Sequence, residues 1–384
     1  MIIEIRNVNF VNKGAELMLI AIIEQIRSKY PKAILTMNSG DDPYIDRAKL
    51  GLYQTVRFNR YGVIANKVLK YIPKRTRERL GIVLDPEIDV ILDAAGFKYS
   101  DQWGSEYTVQ LAEQIQQWNK QGTKYIMMPQ AFGPFESEEI KTAFKTVIDN
   151  AELIYAREKV SYDYIINLVG KQKHIKLSPD FTNLLEGVVP KDFDRQNNKI
   201  CMVPNVRMLD KTSFETPDSY QYFMAECLKT LVRAKKKPFF LIHEGEADLK
   251  LAEEIMNIAN VNINIVIESD PLKIKGIIGT CDAMIGSRFH GLVNALSQGV
   301  PVIATGWSHK YQMLLQDYTV PQCLLSVEAS KDKIEETLAL ILDDDLRNSI
   351  KKDIEQSSIE QKQLVNNMWQ EIYTILNKIN MQGS

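Results

Sequence analysis

Residues 280–307 read TCDAMIGSRFHGLVNALSQGVPVIATGW, a pattern of strand, turn, helix and strand. Residues 283–286 form a short apolar run that stops at a glycine, and Ser287-Arg288-Phe289-His290-Gly291 is a polar turn. Leu292, Ala295 and Leu296 recur at helical spacing, and Gly299 closes that helix. Residues 300–304 are the next buried strand. A guanidinium, an imidazole and a helix N-terminus therefore converge where a strand ends, which is where open α/β sheets take anionic ligands. Arg288 offers a planar fork of donors suited to phosphate or carboxylate. An imidazole such as that of His290 is the side chain suited to proton transfer near neutral pH, and Phe289 and Gly291 flank it. The plainer alternative is a capping arginine beside a core histidine.

The same alternation extends outward in both directions. Ile2, Ile3, Ile5 and Val8 mark a first strand, and 34–37, 90–93, 125–128 and 153–156 mark others. Helical spacing covers 17–30, 105–121, 137–150 and a stretch starting at 157. Residues 12–16 and 129–134 read as loops. A polar, turn-rich break at 190–199 follows, and the pattern restarts with a strand at 200–203, a helix at 219–235 and a strand at 238–242. A helix at 246–259 and a strand beginning at Ile263 complete it before the stretch quoted above. Residues 331–379 read as helix with a break near 343–345. Apolar runs separated by amphipathic helices are the mark of parallel sheets covered on both faces. The expected fold is α/β, with two doubly wound Rossmann-like domains facing a cleft. The domains run 1–190 and 199–350, with a C-terminal helical segment, 351–384, packing back on the first. A length of 384 residues fits two domains.

Composition narrows the function. Hydrophobic content of 45% and charged content of 25% are those of a soluble globular chain. The balance of 47 bases against 49 acids leaves a net charge of −2, which carries no nucleic-acid signal. Cys201, Cys227, Cys281 and Cys323 form no CxxC pair, so reduced thiols in a cytoplasmic protein are expected, without structural zinc. No ligand set stands at metal spacing. The opening MIIEIRNVNF starts at once as a strand, so no cleavable signal is expected. Eight bases lie in 57–79, with Glu78 the lone acid and tyrosines and aliphatic residues interleaved. Two readings stand for this segment: a solvated face or loop, and an amphipathic contact with the anionic inner face of a membrane.

Other polar residues cluster at strand ends. Asn12, Lys13, Gly14 and Glu16 occupy the first strand-to-helix turn, where Gly14 admits a ligand and Asn12 and Lys13 donate hydrogen bonds. The turn is no GxGxxG or P-loop, so it does not imply a nucleotide. Asp93 ends the third strand as a base or a cap. Arg157 and Arg207 follow strands, as do Glu244, Glu268 and Asp270.

The ordered set Asn12-Lys-Gly-Ala-Glu16, Pro129-Gln-Ala-Phe-Gly-Pro134, Ala156-Arg-Glu-Lys-Val-Ser161, Ser178-Pro-Asp-Phe181, Ser287-Arg-Phe-His-Gly-Leu292 and Gly299-Val-Pro-Val-Ile-Ala304 resembles the polysaccharide pyruvyl transferase family. That family usually has Asn-x-Gly-Asp in the first loop, where this chain has Ala15 followed by Glu16. It also tends to a glycine run where this chain has Ala94-Ala95-Gly96. The resemblance implies a GT-B-like fold, phosphoenolpyruvate as donor and a saccharide as acceptor, lipid-linked if 57–79 meets a membrane. The product would be a pyruvate ketal. It puts the donor on the second domain and the acceptor on the first. Its Arg-x-His motif falls on Arg288 and His290, with Arg207 or Arg157 as a second donor arginine. Such chemistry needs anion-binding arginines, a general acid and a base, but no cofactor or metal. His290 is the acid, and Asp93, Glu16 or Glu244 the base. Two rivals are a nucleotide-sugar glycosyltransferase, with Glu268 or Asp270 on the ribose, and a non-catalytic carbohydrate-binding or assembly protein of the same fold.

Overall fold

The computed structural model describes residues 1–38, 43–56, 69–211, 219–306 and 308–382. They form two units. The first comprises Met1–Phe181 with Asn366–Ser384, and the second comprises Thr182–Val365.

The sheet of the first unit holds β1 (Ile2–Arg6), β2 (Ile34–Asn38), β3 (Tyr53–Val56), β4 (Ile82–Leu84), β5 (Val90–Asp93), β6 (Phe97–Tyr99), β7 (Lys124–Phe132), β8 (Leu153–Ala156) and β9 (Ile175–Leu177). Their order is β4-β3-β2-β1-β5-β7-β8-β9, with β6 added on β7, and every pairing is parallel. The helices are α1 (Lys13–Lys29), α2 (Tyr44–Lys49), α3 (Lys74–Arg79), α4 (Glu106–Gln121), α5 (Glu138–Asn150) and α6 (Lys159–Val169). β5 and β8 are buried at every position, as a strand must be when helices cover both faces. Chain order reverses direction between β1 and β5, so the crevice of this sheet opens at their carboxyl ends.

Several expectations change here. α1 begins at Lys13 rather than Leu17, because the Asn12 side chain caps it by accepting from Ala15 N at 2.9 Å. Lys13, Gly14 and Glu16 thus lie in a helical turn. The loop expected at 129–134 starts only after Phe132. Gln130 Nε2 donates to Asp93 O at 3.3 Å, and Phe132 N donates to Ser161 Oγ at 2.8 Å, which carries β7 onward. β3, β4, β6 and β9 are additional strands of three or four residues. Of the basic segment 57–79, residues 57–68 lie outside the described residues. In the rest, Arg77 is buried and bidentate on Glu87, at 2.5 and 2.8 Å, which fixes α3.

The second unit has β10 (Ile200–Val203), β11 (Pro238–Ile242), β12 (Asn264–Ile267), β13 (Ala283–Gly286) and β14 (Val302–Ala304). They run in the order β12-β11-β10-β13-β14, again all parallel. Around them lie α7 (Arg207–Lys211), α8 (Ser219–Arg233), α9 (Glu246–Ala259), α10 (Pro271–Gly279), α11 (Phe289–Leu296), α12 (His309–Asp317), α13 (Lys331–Leu342) and α14 (Asp344–Gln382). α14 divides between the units at Val365. It starts where Asp343 Oδ1 accepts from Asp345 N and Leu346 N, at 3.0 and 2.9 Å, the break legible near 343–345. Its C-terminal part is held in the first unit: Glu371 takes Tyr155 Oη and Lys176 Nζ, both at 2.6 Å. No helix among the described residues is long and apolar enough to cross a membrane.

The stretch 190–199, expected as a linker, belongs to the second unit, which starts at Thr182. Lys199 N donates to Lys237 O at 2.9 Å and Gln196 O accepts from Lys237 Nζ at 2.8 Å, and the chain just before the stretch is held by backbone contact. Val188 N donates to Leu272 O at 2.9 Å. Gly187 and Gly276 meet so closely that a Cβ on Gly276 would lie 2.3 Å from the Val188 carbonyl. Gly276→Ala should therefore cost at least the roughly 1–3 kcal/mol of an overpacked core. The urea midpoint of the variant would show this, and an unchanged midpoint would mean the crossing has room to spare.

Candidate functional site

In the second unit the chain reverses direction between β10 and β13, so its crevice opens at the ends of those strands. The residues leaving them are knitted together. Asn205 Nδ2 donates to Ser287 O at 3.0 Å, and Tyr311 Oη donates to the same oxygen at 2.9 Å. Tyr220 Oη shares a hydrogen bond with Ser287 Oγ at 2.7 Å and accepts from Asn205 N at 3.2 Å. Asn205 Oδ1 takes Arg207 N at 3.1 Å. Asn205, Tyr220, Ser287 and Tyr311 are all buried. The turn after each strand is thereby braced by the other.

Arg288 stands at the N-cap of α11 with extended backbone, and only 9% of it is exposed. Its Nη1 meets Glu244 and its Nη2 meets Asp248. Asp248 is also anchored, accepting from Val206 N through Oδ1 at 3.0 Å. Burial lowers the Arg288 guanidinium to about 10 and pushes the Asp248 carboxyl up to about 6, the latter opposed by the hydrogen bond from Val206 N. Arg207, exposed at the start of α7, lies near enough to depress Arg288 further. Arg288 Nε is buried and has no hydrogen-bond partner among the described residues. An orphaned guanidinium donor at a helix N-terminus is a place for an anion.

His290 is half-buried in the first turn of α11, edge-on to Phe289 with ring centroids 5.7 Å apart. Phe289 in turn lies edge-on to Tyr311 at 6.0 Å and under Lys310 Nζ at 5.4 Å. Gly291 has a packing reason: a Cβ there would lie 2.9 Å from Met284 Cε, so its absence lets α11 close on β13. Arg288, His290, Phe289, Arg207 and Glu244 thus gather at one strand-end site.

The remaining candidates lie in the first unit. Asp93 is fully buried. It accepts from Tyr99 Oη and Tyr125 Oη at 2.6 Å each, and from Asn7 Nδ2 at 2.7 Å. Burial, reinforced by the Asp93 charge, holds both phenols well above their ordinary range, so they stay protonated and donate. Asn7, at φ 59°, also receives Lys98 Nζ on Oδ1 at 2.9 Å. A carboxylate so enclosed has no approach for a substrate proton. We read Asp93 as the anchor of this network rather than a base. In the first turn of α1, Lys13 Nζ pairs with Glu16 at 2.7 Å and donates to Phe10 O at 3.0 Å, while Gly14 is buried. Arg157 is buried on Asp180 at 3.3 Å. Among the described residues no three His, Cys, Asp or Glu side chains group as metal ligands would.

Sequence reading missed Asp248, Asn205, Tyr220 and Tyr311. Asp248 looks like an ordinary acid in a first helical turn, and Asn205 like part of a strand-end turn. Ser287 lay in view, but its neighbours come from distant parts of the chain.

Fold and site together define a two-unit parallel α/β protein with a buried, ion-paired arginine at a strand end. The sequence profile described as polysaccharide pyruvyl transferase matches residues 12–309, and the chain belongs to that family of transferases. No curated protein matches the sequence significantly. Among solved structures it is similar to Anabaena HepE in complex with UDP-glucose, at 14% identity and TM-score 0.60, over 98% of this chain and 99% of that one. It is also similar to Staphylococcus aureus MnaA with UDP, at 11% and 0.60, over 98% and 96%. UDP-GlcNAc 2-epimerase from Neisseria meningitidis, bound to UDP-GlcNAc, matches at 8% and 0.59, over 98% and 99%. At these identities the likeness establishes the GT-B-like fold.

The anchor role of Asp93 is testable. Asp93→Ala strands two buried phenol donors and should cost at least about 3 kcal/mol in urea unfolding, from charged hydrogen bonds of roughly 1.5–3 kcal/mol each. Full stability with lost turnover would instead return Asp93 to the chemistry.

Proposed function

We propose that the chain transfers the three-carbon unit of phosphoenolpyruvate to two hydroxyls of a saccharide, forming a pyruvate ketal and releasing phosphate. The observation that carries this is the buried Arg288, with its orphaned Nε, beside His290 on one helix turn. Arg288 holds the donor's phosphate and stabilises it as it leaves. The donor's carboxylate goes to a second arginine. Arg207 is exposed in the same unit, while Arg157 is held by Asp180. Separate alanine substitutions, scored by donor affinity, decide between them. His290 protonates the enol methylene, which becomes the ketal methyl. Of the two acceptor protons, one balances that methyl and the other departs with phosphate. The acceptor-side base is one of Glu16, Glu244 and Asp93: Glu16 is paired with Lys13 at 2.7 Å, Glu244 meets Arg288, and Asp93 is enclosed.

A nucleotide-sugar glycosyltransferase is the second reading, favoured by the UDP ligands of the solved neighbours. Its ribose carboxylates are already spent here. Asp270 caps α10 through Leu272 N and Lys273 N, and Glu268 Oε1 accepts from Ser269 N and Asp270 N. Those neighbours still favour a saccharide carried on a phosphate-bearing group as acceptor. We propose a lipid-linked one, met at an anionic membrane surface. Lys70, Lys74, Arg75 and Arg79 are exposed around α3, with Tyr71 and Leu80 bare beside them.

Three outcomes are expected. His290→Ala should lower turnover by about 10²–10⁴, and Arg288→Ala should weaken phosphoenolpyruvate binding by roughly 1.5–3 kcal/mol. Acceptors incubated with phosphoenolpyruvate should gain about 70 Da by mass spectrometry, the mass of a pyruvate less water, as the proton-balanced ketal requires. Nucleotide sugars that shift the melting temperature where phosphoenolpyruvate does not would overturn the donor assignment. Independently, the protein should sediment with phosphatidylserine vesicles at low salt and be released by high salt. Failure to sediment would remove the membrane contact.

A further inference from the structure

The two carboxylates on Arg288 are held differently. Asp248 is 2% exposed, stands in the first turn of α9 and is tied to the backbone at Val206. That tie joins it to the turn carrying Asn205 and Arg207. Glu244 lies in the turn between β11 and α9, next to Gly245 at φ 104°, with its side chain 16% exposed. Among the described residues its carboxylate meets Arg288.

Charge then sets a constraint. Phosphoenolpyruvate brings a phosphate and a carboxylate to a guanidinium that already faces two carboxylates. Like charges within a few ångström in a buried site repel strongly. One carboxylate must give way, and the anchored one is Asp248.

We propose that the two have opposite roles: Asp248 is a positioning residue that fixes the Arg288 guanidinium for the donor, and Glu244 is a stand-in anion that the donor displaces. The vacant site thereby keeps its buried cation neutralised until the substrate replaces Glu244. This rests on the donor reading of Arg288.

Calorimetric titration of phosphoenolpyruvate into the full chain tests it, because the two substitutions move affinity in opposite directions. Glu244→Gln should tighten binding by roughly five- to tenfold, since it removes a competitor of like charge. Asp248→Asn should weaken it by about tenfold or more, with Asp248→Glu recovering part of the loss. Melting curves confirm that each variant is folded, and Glu244→Gln, at a partly exposed position, carries the test if Asp248→Asn does not fold. Weaker or unchanged binding in Glu244→Gln overturns the displacement, and unchanged binding in Asp248→Asn overturns the positioning role. Wild-type protein that binds no phosphoenolpyruvate, or binding indifferent to Arg288→Ala, overturns the donor reading itself. If Arg288→Ala weakens binding while Glu244→Gln and Asp248→Asn leave it unchanged, only the division of roles fails.

Discussion

A guanidinium buried at the end of a strand must be compensated, and the second unit is arranged around meeting that demand at Arg288. Asp248 neutralises it from α9 and is fixed by Val206 N. The same short turn supplies Asn205, which braces the Ser287 carbonyl next to the arginine. Tyr220 and Tyr311 close the network from α8 and α12. Four helices and the ends of two strands thus meet around Ser287 and Arg288. Desolvation of the guanidinium is costly unless every partner is in place. The donors left over, Arg288 Nε above all, are those a ligand would take.

The first unit solves a related problem with the opposite sign. At its own reversal of strand order, Asp93 is a buried anion satisfied by two phenols and an amide. Nothing in that arrangement leaves an acceptor exposed. A buried carboxylate with three donors rigidifies a strand end, whereas a buried arginine with an unmet donor invites an anion. The likeness of the two units in strand plan therefore does not extend to their chemistry.

Much of the fold was legible because buried parallel strands are mostly apolar runs, broken at few positions such as Glu4 and Asp93. β1, β5, β8, β10, β11 and β13 announce themselves this way, and the helices between them by their spacing. β3, β4, β6 and β9 did not, since runs of three or four residues such as Tyr53-Gln-Thr-Val56 carry too little pattern. The stretch 190–199 read as a linker because its composition is polar. What holds the chain there is hydrogen bonding to Lys237 and, just before the stretch, the close approach of Gly187 to Gly276, which composition does not record. Lys13, Gly14 and Glu16 read as loop because glycine near a helix start weakens the periodic signal, while the Asn12 cap restores the helix.

By itself the sequence determined the alternating α/β plan, the two-unit organisation and the Arg-x-His turn at a helix N-terminus, because each is written in neighbouring residues. Tertiary structure alone decided which groups face that turn. Arg288 lies 40 residues from Asp248 and 44 from Glu244, and Ser287 lies 82 from Asn205. Parallel sheets put successive strand ends side by side while their helices separate them along the chain. The charges that tune a strand-end site are therefore spread through the sequence, where an acid in a first helical turn looks like any other.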